Sequence, residues 1–284
     1  MSTDSLRLAH DGLQFDALSS GPDDGPLVVC LHGFPQFADA WDGVMPLLAG
    51  AGYRVVAVDQ RGYSPGARPR DVAAYHVDRL VADVLAWADT LGRPRFHLAG
   101  HDWGGAVAWR LAERHPQRLL SLTVLSTPHP AAFKQALAED ADQRRRSIYV
   151  ALFRLRWHLA ERLMLARGAR VLRQAYRGKV PAPRVEQNVQ RLRQPGALTG
   201  GLNWYRAADR RAEVGPVQVP TLYIWGSADQ ALGATAAEAT RQHVTGPYRY
   251  EALAGASHWL LEEQTQRVAD LMLEHLAQHG GASG

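Results

Sequence analysis

Gly100-His101-Asp102-Trp103-Gly104-Gly105 lies between an apolar run at 96–99 and a helical pattern at 103–115. Its form, a small residue two places before and two places after a central one, belongs to a sharp strand-to-helix turn that presents a nucleophile above a sheet. The flanking glycines let strand and helix approach closely, and the central residue is held in a strained backbone conformation. Here that residue is Asp102 rather than a serine. The plainer alternative is an aspartate that caps the helix after it, a role Asp fills well.

The surrounding chain alternates strand-like and helix-like stretches. Segments 6–9 and 13–17 flank Asp11-Gly12, a hairpin signal. Residues 26–31 form a continuous apolar run, which suits a strand buried on both faces of a sheet. Segments 53–58 and 120–125 read the same way, with helical patterns at 41–50 and 78–91. Strands alternating with helices imply right-handed crossovers and a mostly parallel sheet. Between 129 and 211 the alternation stops, and Arg- and Leu-rich helical stretches are punctuated by Gly168, Gly178-Lys179-Val180-Pro181 and Pro195-Gly196. It resumes with strands at 220–225 and 248–253 and helices at 233–244 and 260–278. The expected organisation is a core of 1–128 and 212–284 with a helical cap at 129–211, and a disordered tail at 280–284.

A chain of 284 residues that is 46% hydrophobic can bury a sizeable core. The single cysteine, Cys30, excludes an internal disulfide and points to a reducing compartment. Residues 1–12 contain no apolar leader core, and the longest apolar runs, such as 27–31, are far too short to cross a bilayer. A soluble, cytoplasmic protein is expected. The charge is uneven. Residues 144–193 carry 14 basic side chains against Glu161 and Glu186, leaving 18 basic and 26 acidic elsewhere. No nucleic-acid motif accompanies this +12 segment, so a solvated Arg-rich helical surface is the favoured account, with steering of an anionic ligand or partner as the alternative.

Three further features accompany Asp102. His32-Gly33-Phe34-Pro35 follows the third strand, where one backbone donor of an oxyanion hole would come from Phe34 and a second from Trp103. An ordinary Gly-Pro turn is the plainer reading. Asp229 follows the strand at 220–225, where an acid can orient a base, although turns also favour aspartate. His258, in Gly255-Ala256-Ser257-His258-Trp259, sits between the last strand and the last helix; a lone histidine among 12 proves little. The order nucleophile, acid, histidine, each at the C-terminal end of a strand, carries more weight than any single residue.

On His32 to Pro35, Asp59-Gln60-Arg61-Gly62-Tyr63, Gly100 to Gly105, Asp229 and His258, the sequence resembles the epoxide hydrolases of the α/β-hydrolase fold over nearly its whole length. The resemblance implies a mostly parallel eight-stranded sheet flanked by helices, with a helical cap bearing two tyrosines that hold the epoxide oxygen. Tyr205, in Asn203-Trp204-Tyr205-Arg206, resembles the second of these. Tyr149 matches the first, with Tyr176 as its competitor, and a half-buried cap aromatic is the plain reading of each. No cofactor or metal is implied. Self-association into a homodimer is compatible with the sequence and not dictated by it.

An aspartate nucleophile decides the reaction type. A serine attacking an sp³ carbon makes an ether that water does not readily cleave. A carboxylate makes an ester whose carbonyl belongs to the protein, so water activated by His258 can attack Asp102 itself. Asp229 would orient His258 and stabilise its imidazolium. An epoxide expels an alkoxide, for which two phenols serve as acids. The expected function is hydrolysis of an epoxide to a vicinal diol. Haloalkane dehalogenases are the alternative, because Trp103 resembles their halide-holding indole. Fluoroacetate dehalogenases rank lower, since they place an Arg where this chain has Trp103. A catalytically silent binding protein using its basic cap is the third reading.

Overall fold

The computed structural model describes residues 3–155, 157–209 and 213–280. Asp11 and Gly12 both take left-handed angles, φ +53° and +73°, and close a hairpin in which His10 opposes Leu13. That geometry is what an Asp-Gly turn is suited to. The hairpin joins β1 (Asp4–His10) to β2 (Leu13–Ser20). The other strands are β3 (Leu27–Leu31), β4 (Arg54–Val58), β5 (Phe96–His101), β6 (Leu119–Leu125), β7 (Thr221–Gly226) and β8 (Tyr248–Leu253). They form one eight-stranded sheet in the order β1-β2-β4-β3-β5-β6-β7-β8. β1 and β2 pair antiparallel, and every pairing from β4 through β8 is parallel.

All five residues of β3 are buried, as its unbroken apolar run requires. The pleat sends Val28 and Cys30 to one face, with Leu48, Ile224 and Met272, and Val29 and Leu31 to the other, with Leu98, Val107 and Leu111. Each such aliphatic side chain contributes about 1.5–3 kcal/mol by leaving water. The sheet is thus clamped between two apolar layers.

Several expected helices break. The 41–50 helix is a 3₁₀ turn at Ala38–Trp41 and an α-helix at Met45–Gly50, because Pro46 fits only a first turn. The 260–278 helix is Leu260–Glu263 and Thr265–His279, divided at Gln264 (φ −134°). The 233–244 helix tightens into a 3₁₀ turn at Thr240–His243. Between β6 and β7 the described residues form helices and no strand: Pro130–Glu139, Ala141–Arg146, Tyr149–Phe153, Leu159–Ala175 (kinked where Ala166, Arg167, Gly168 and Ala169 leave helical angles), Ala182–Leu192 and Ala197–Ala207. The expected boundary at 211/212 and the tail from 281 lie outside the described residues.

The basic segment is not wholly a solvated surface. Arg184 pairs with Asp39 (2.5 Å) and Asp42 (2.7 Å), and Arg191 pairs with Asp59 while its guanidinium lies 3.7 Å from the Phe37 ring centroid. Arg206 grips Glu161 through two hydrogen bonds of 2.9 and 3.0 Å, the fork geometry a carboxylate accepts best. Part of the positive excess is therefore a seam onto core aspartates that sequence counting could not reveal. Among the described residues no helix is long and apolar enough to cross a membrane.

Candidate active site

β5 ends at His101 and the helix Trp103–Arg114 begins two residues later. Asp102 between them takes φ +51°, ψ −120°, a conformation that costs a non-glycine residue about 1–3 kcal/mol. It makes no side-chain cap to its helix, so the simple capping account fails. Its Oδ1 instead accepts the Phe34 N–H at 2.8 Å. A Cβ on Gly104 would sit 2.4 Å from the Leu31 carbonyl oxygen, and one on Gly33 would sit 2.3 Å from the Asp102 Cβ. Only hydrogen at these two positions lets the helix, β3 and the Phe34 loop converge on the carboxylate.

The loop is held from behind by His32, which is fully buried. Its Nδ1 lies 3.0 Å from the Gly33 carbonyl and its Nε2 lies 3.2 Å from the Gln60 N–H. A carbonyl can only accept and an N–H can only donate, so the proton is on Nδ1 and the ring is neutral. Burial accordingly pushes its pKa down to about 3.

Asp229 lies three residues past the end of β7, and His258 follows β8. Asp229 Oδ2 is 2.8 Å from His258 Nδ1, while Oδ1 accepts the N–H groups of Ala231 (2.8 Å) and Leu232 (3.1 Å). His258 Nε2 stands 3.5 Å from Asp102 Oδ2. The two carboxylates thus flank one imidazole. Burial opposes its charge, but the Asp229 charge, hydrogen bonds to Asp102 and Asp229, and the Asp102 charge outweigh burial and push the pKa up to about 10. Burial likewise opposes ionisation of Asp102. The His258 hydrogen bond and charge, the nearby His101 and the Trp103 backbone N–H outweigh it and hold the carboxyl below its ordinary value.

A cavity of about 490 Å³ opens over this constellation, lined among others by Phe34, Asp102, Tyr149, Tyr205, His258 and Trp259. Tyr205, on Ala197–Ala207, packs edge-on against Trp103 with centroids 4.9 Å apart, and its ring lies 6.5 Å from that of Tyr149. Burial is the chief cause that raises both phenols well above their ordinary pKa. Tyr176 is absent from this lining: its hydroxyl donates to the Pro35 carbonyl (2.9 Å) and accepts from Asn188 Nδ2 (3.1 Å). Pro35 itself lines the cavity. A larger concavity of about 950 Å³ lies at the Arg184–Asp39 seam, with neither Asp102 nor His258 in its wall.

Sequence reading missed the parts that hold His258. Its carbonyl lies 2.9 Å from His101 Nε2 and accepts from Ser126 Oγ at 3.0 Å. Arg146 donates to the Asp229 carbonyl from the helical insertion. His101 was in the quoted motif, but nothing local marks Ser126 or Arg146, because their partners are distant in sequence.

The profile of the α/β hydrolase fold family matches residues 26–265. The chain is 35% identical to the AB hydrolase superfamily protein YfhM of Bacillus subtilis, over 94% of this chain and 95% of that protein. It is 31% identical to Epoxide hydrolase A of Mycobacterium tuberculosis, over 94% and 95% of the two chains. Among solved structures it is similar to Epoxide Hydrolase A from Mycobacterium thermoresistibile, with a TM-score of 0.86 and 28% identity over 97% and 98% of the two chains. With the sheet order, the strand-to-helix turn at Asp102 and these likenesses together, the chain belongs to the α/β hydrolase fold family, among its epoxide hydrolase relatives.

Proposed function

We propose that this chain hydrolyses epoxides to vicinal diols through an ester on Asp102. The observation that carries the proposal is a carboxylate, not a hydroxyl, at the turn after β5, seated on the Phe34 N–H and sharing one cavity with Tyr149 and Tyr205. Oδ2, the oxygen not held by Phe34, attacks the epoxide carbon. The C–O bond breaks, and the alkoxide takes a proton from a phenol. Both phenols are kept protonated by burial, so each is a donor at neutral pH.

Ester formation consumes the Asp102 charge. Two of the influences that hold His258 protonated then vanish, its pKa falls towards the range of a base, and its proton passes to the phenolate. His258 takes a proton from water as the water oxygen attacks the Asp102 carbonyl carbon. The Phe34 and Trp103 N–H groups stabilise the oxyanion, and Asp229 stabilises the imidazolium. On collapse the departing diol oxygen takes the proton of the added hydroxyl, which restores the Asp102 carboxylate beside the protonated His258 with which the cycle began.

The helices at 129–211 act in this account as the cap that brings both tyrosines over the nucleophile. The relatives named epoxide hydrolases support the same reading. The fully buried Cys30 fits a cytoplasmic setting. Styrene oxide is a direct test: diol should form, and Tyr205→Phe should abolish most of it. Halide release from haloalkanes that survives Tyr205→Phe, with no diol from any epoxide, would favour a dehalogenase instead.

A further inference from the structure

Seven large apolar side chains are exposed among the described residues, and six fall between 148 and 171. Trp157 is 91% exposed and Ile148 68%, Leu159, Leu163 and Val171 are also exposed, and Tyr149 is 36% exposed, with the larger part of its ring covered at the cavity wall. Two of them, Tyr149 and Val171, line the cavity, and the helix carrying Leu159 and Leu163 also supplies Met164 to its wall. Leu159 and Leu163, four apart, share one helix face.

The charges interleaved with this patch have one sign. Arg162, Arg167, Arg170 and Arg177 are exposed, and none of them has an ion-pair partner among the described residues. The two acids of the segment are engaged elsewhere, Glu161 with Arg206 and Glu186 with Arg173. An exposed tryptophan and aliphatics set among free arginines combine the two attractions that hold a protein at an anionic bilayer surface.

We propose that this face docks on an anionic lipid surface, with the mouth of the cavity turned towards the membrane. A symmetric contact with a second copy would bring two sets of unpaired arginines together and is disfavoured by that repulsion. Docking does not depend on the epoxide reading. If that reading also holds, an apolar epoxide dissolved in the bilayer has a short path to Asp102.

The test is flotation with vesicles of phosphatidylcholine alone and of phosphatidylcholine with 30% phosphatidylserine. The protein should float with the anionic vesicles only, and binding should fall on raising the salt from 0.1 to 0.5 M, roughly as screening requires. Arg162→Gln/Arg167→Gln/Arg170→Gln should weaken partitioning roughly 100-fold. Trp157→Ser should weaken it roughly tenfold or more. Trp157 emission should shift to the blue with anionic vesicles, by comparison with Trp157→Phe. Both sets of variants should keep wild-type turnover of a water-soluble epoxide without vesicles, which separates loss of docking from loss of the site. Equal binding to neutral vesicles, binding to polyglutamate but to no vesicle, or a lipid-free dimer abolished by Trp157→Ser would each overturn the proposal.

Discussion

Replacing Asp229 by asparagine changes one oxygen to an amide nitrogen, and the surroundings dictate which one. Ala231 and Leu232 donate to Oδ1 at 2.8 and 3.1 Å, so the new side chain must keep its carbonyl there. Its NH₂ then faces His258 Nδ1, 2.8 Å from the atom it replaces. Nδ1 can only accept from that donor, so the neutral ring must carry its proton on Nε2, the nitrogen that faces Asp102. Such a ring cannot take a proton from water. The variant also removes the largest influence raising the His258 pKa. A wrong tautomer of this kind lowers turnover about 10⁴-fold, or about 5 kcal/mol of transition-state stabilisation. Attack by Asp102 needs no base, so the ester still forms and accumulates. Intact-mass spectrometry after mixing Asp229→Asn with styrene oxide should show a full adduct within the first turnover, while steady-state diol release is nearly lost. A variant that turns over within tenfold of the parent, or that never carries the adduct, would refute the tautomer argument.

Tyr205→Phe should lower kcat/KM for epoxides about 10²–10³-fold, whereas Tyr176→Phe should leave kcat nearly unchanged and cost only about 1 kcal/mol of stability from its bond to Pro35; kinetics and urea unfolding check both. His258 has a folded pKa of about 10 against 6.5 for the free side chain, so its contribution is complete below pH 6.5 and lost as pH rises through 10. Tm should therefore decline over pH 6.5–10, and His258→Gln should flatten that decline in calorimetry. Gly104→Ala should destabilise by about 3 kcal/mol, because its Cβ would meet a backbone oxygen at 2.4 Å that no rotamer change can move.

What could be read from the sequence was what is encoded locally. The Asp-Gly turn, the apolar run of β3 and the glycines around Asp102 each record a steric demand within a few residues, and each appears where expected. Asp102, Asp229 and His258 were legible because this topology collects strand C-termini at one edge. Tyr149 and Tyr176 were not separable, since the choice rests on Asn188 and Pro35 occupying one hydroxyl, two contacts from distant segments. The Arg184 and Arg191 seam was invisible for the same reason: counting charges says nothing of which faces meet. Pro46 did mark the helix start at Met45, and the 41–50 reading ran through it.

The carbonyl of His258 is gripped by His101 and Ser126, residues at the ends of the strand before Asp102 and of its neighbour. Asp102 and His258 are therefore tethered to the same two strands, and the helices above touch this group through Arg146 on the Asp229 carbonyl. Remodelling those helices away from Arg146 would change the cavity wall and leave the bonds of His101 and Ser126 to His258 in place. A lineage carrying this tether can explore new substrates by changing the roof alone.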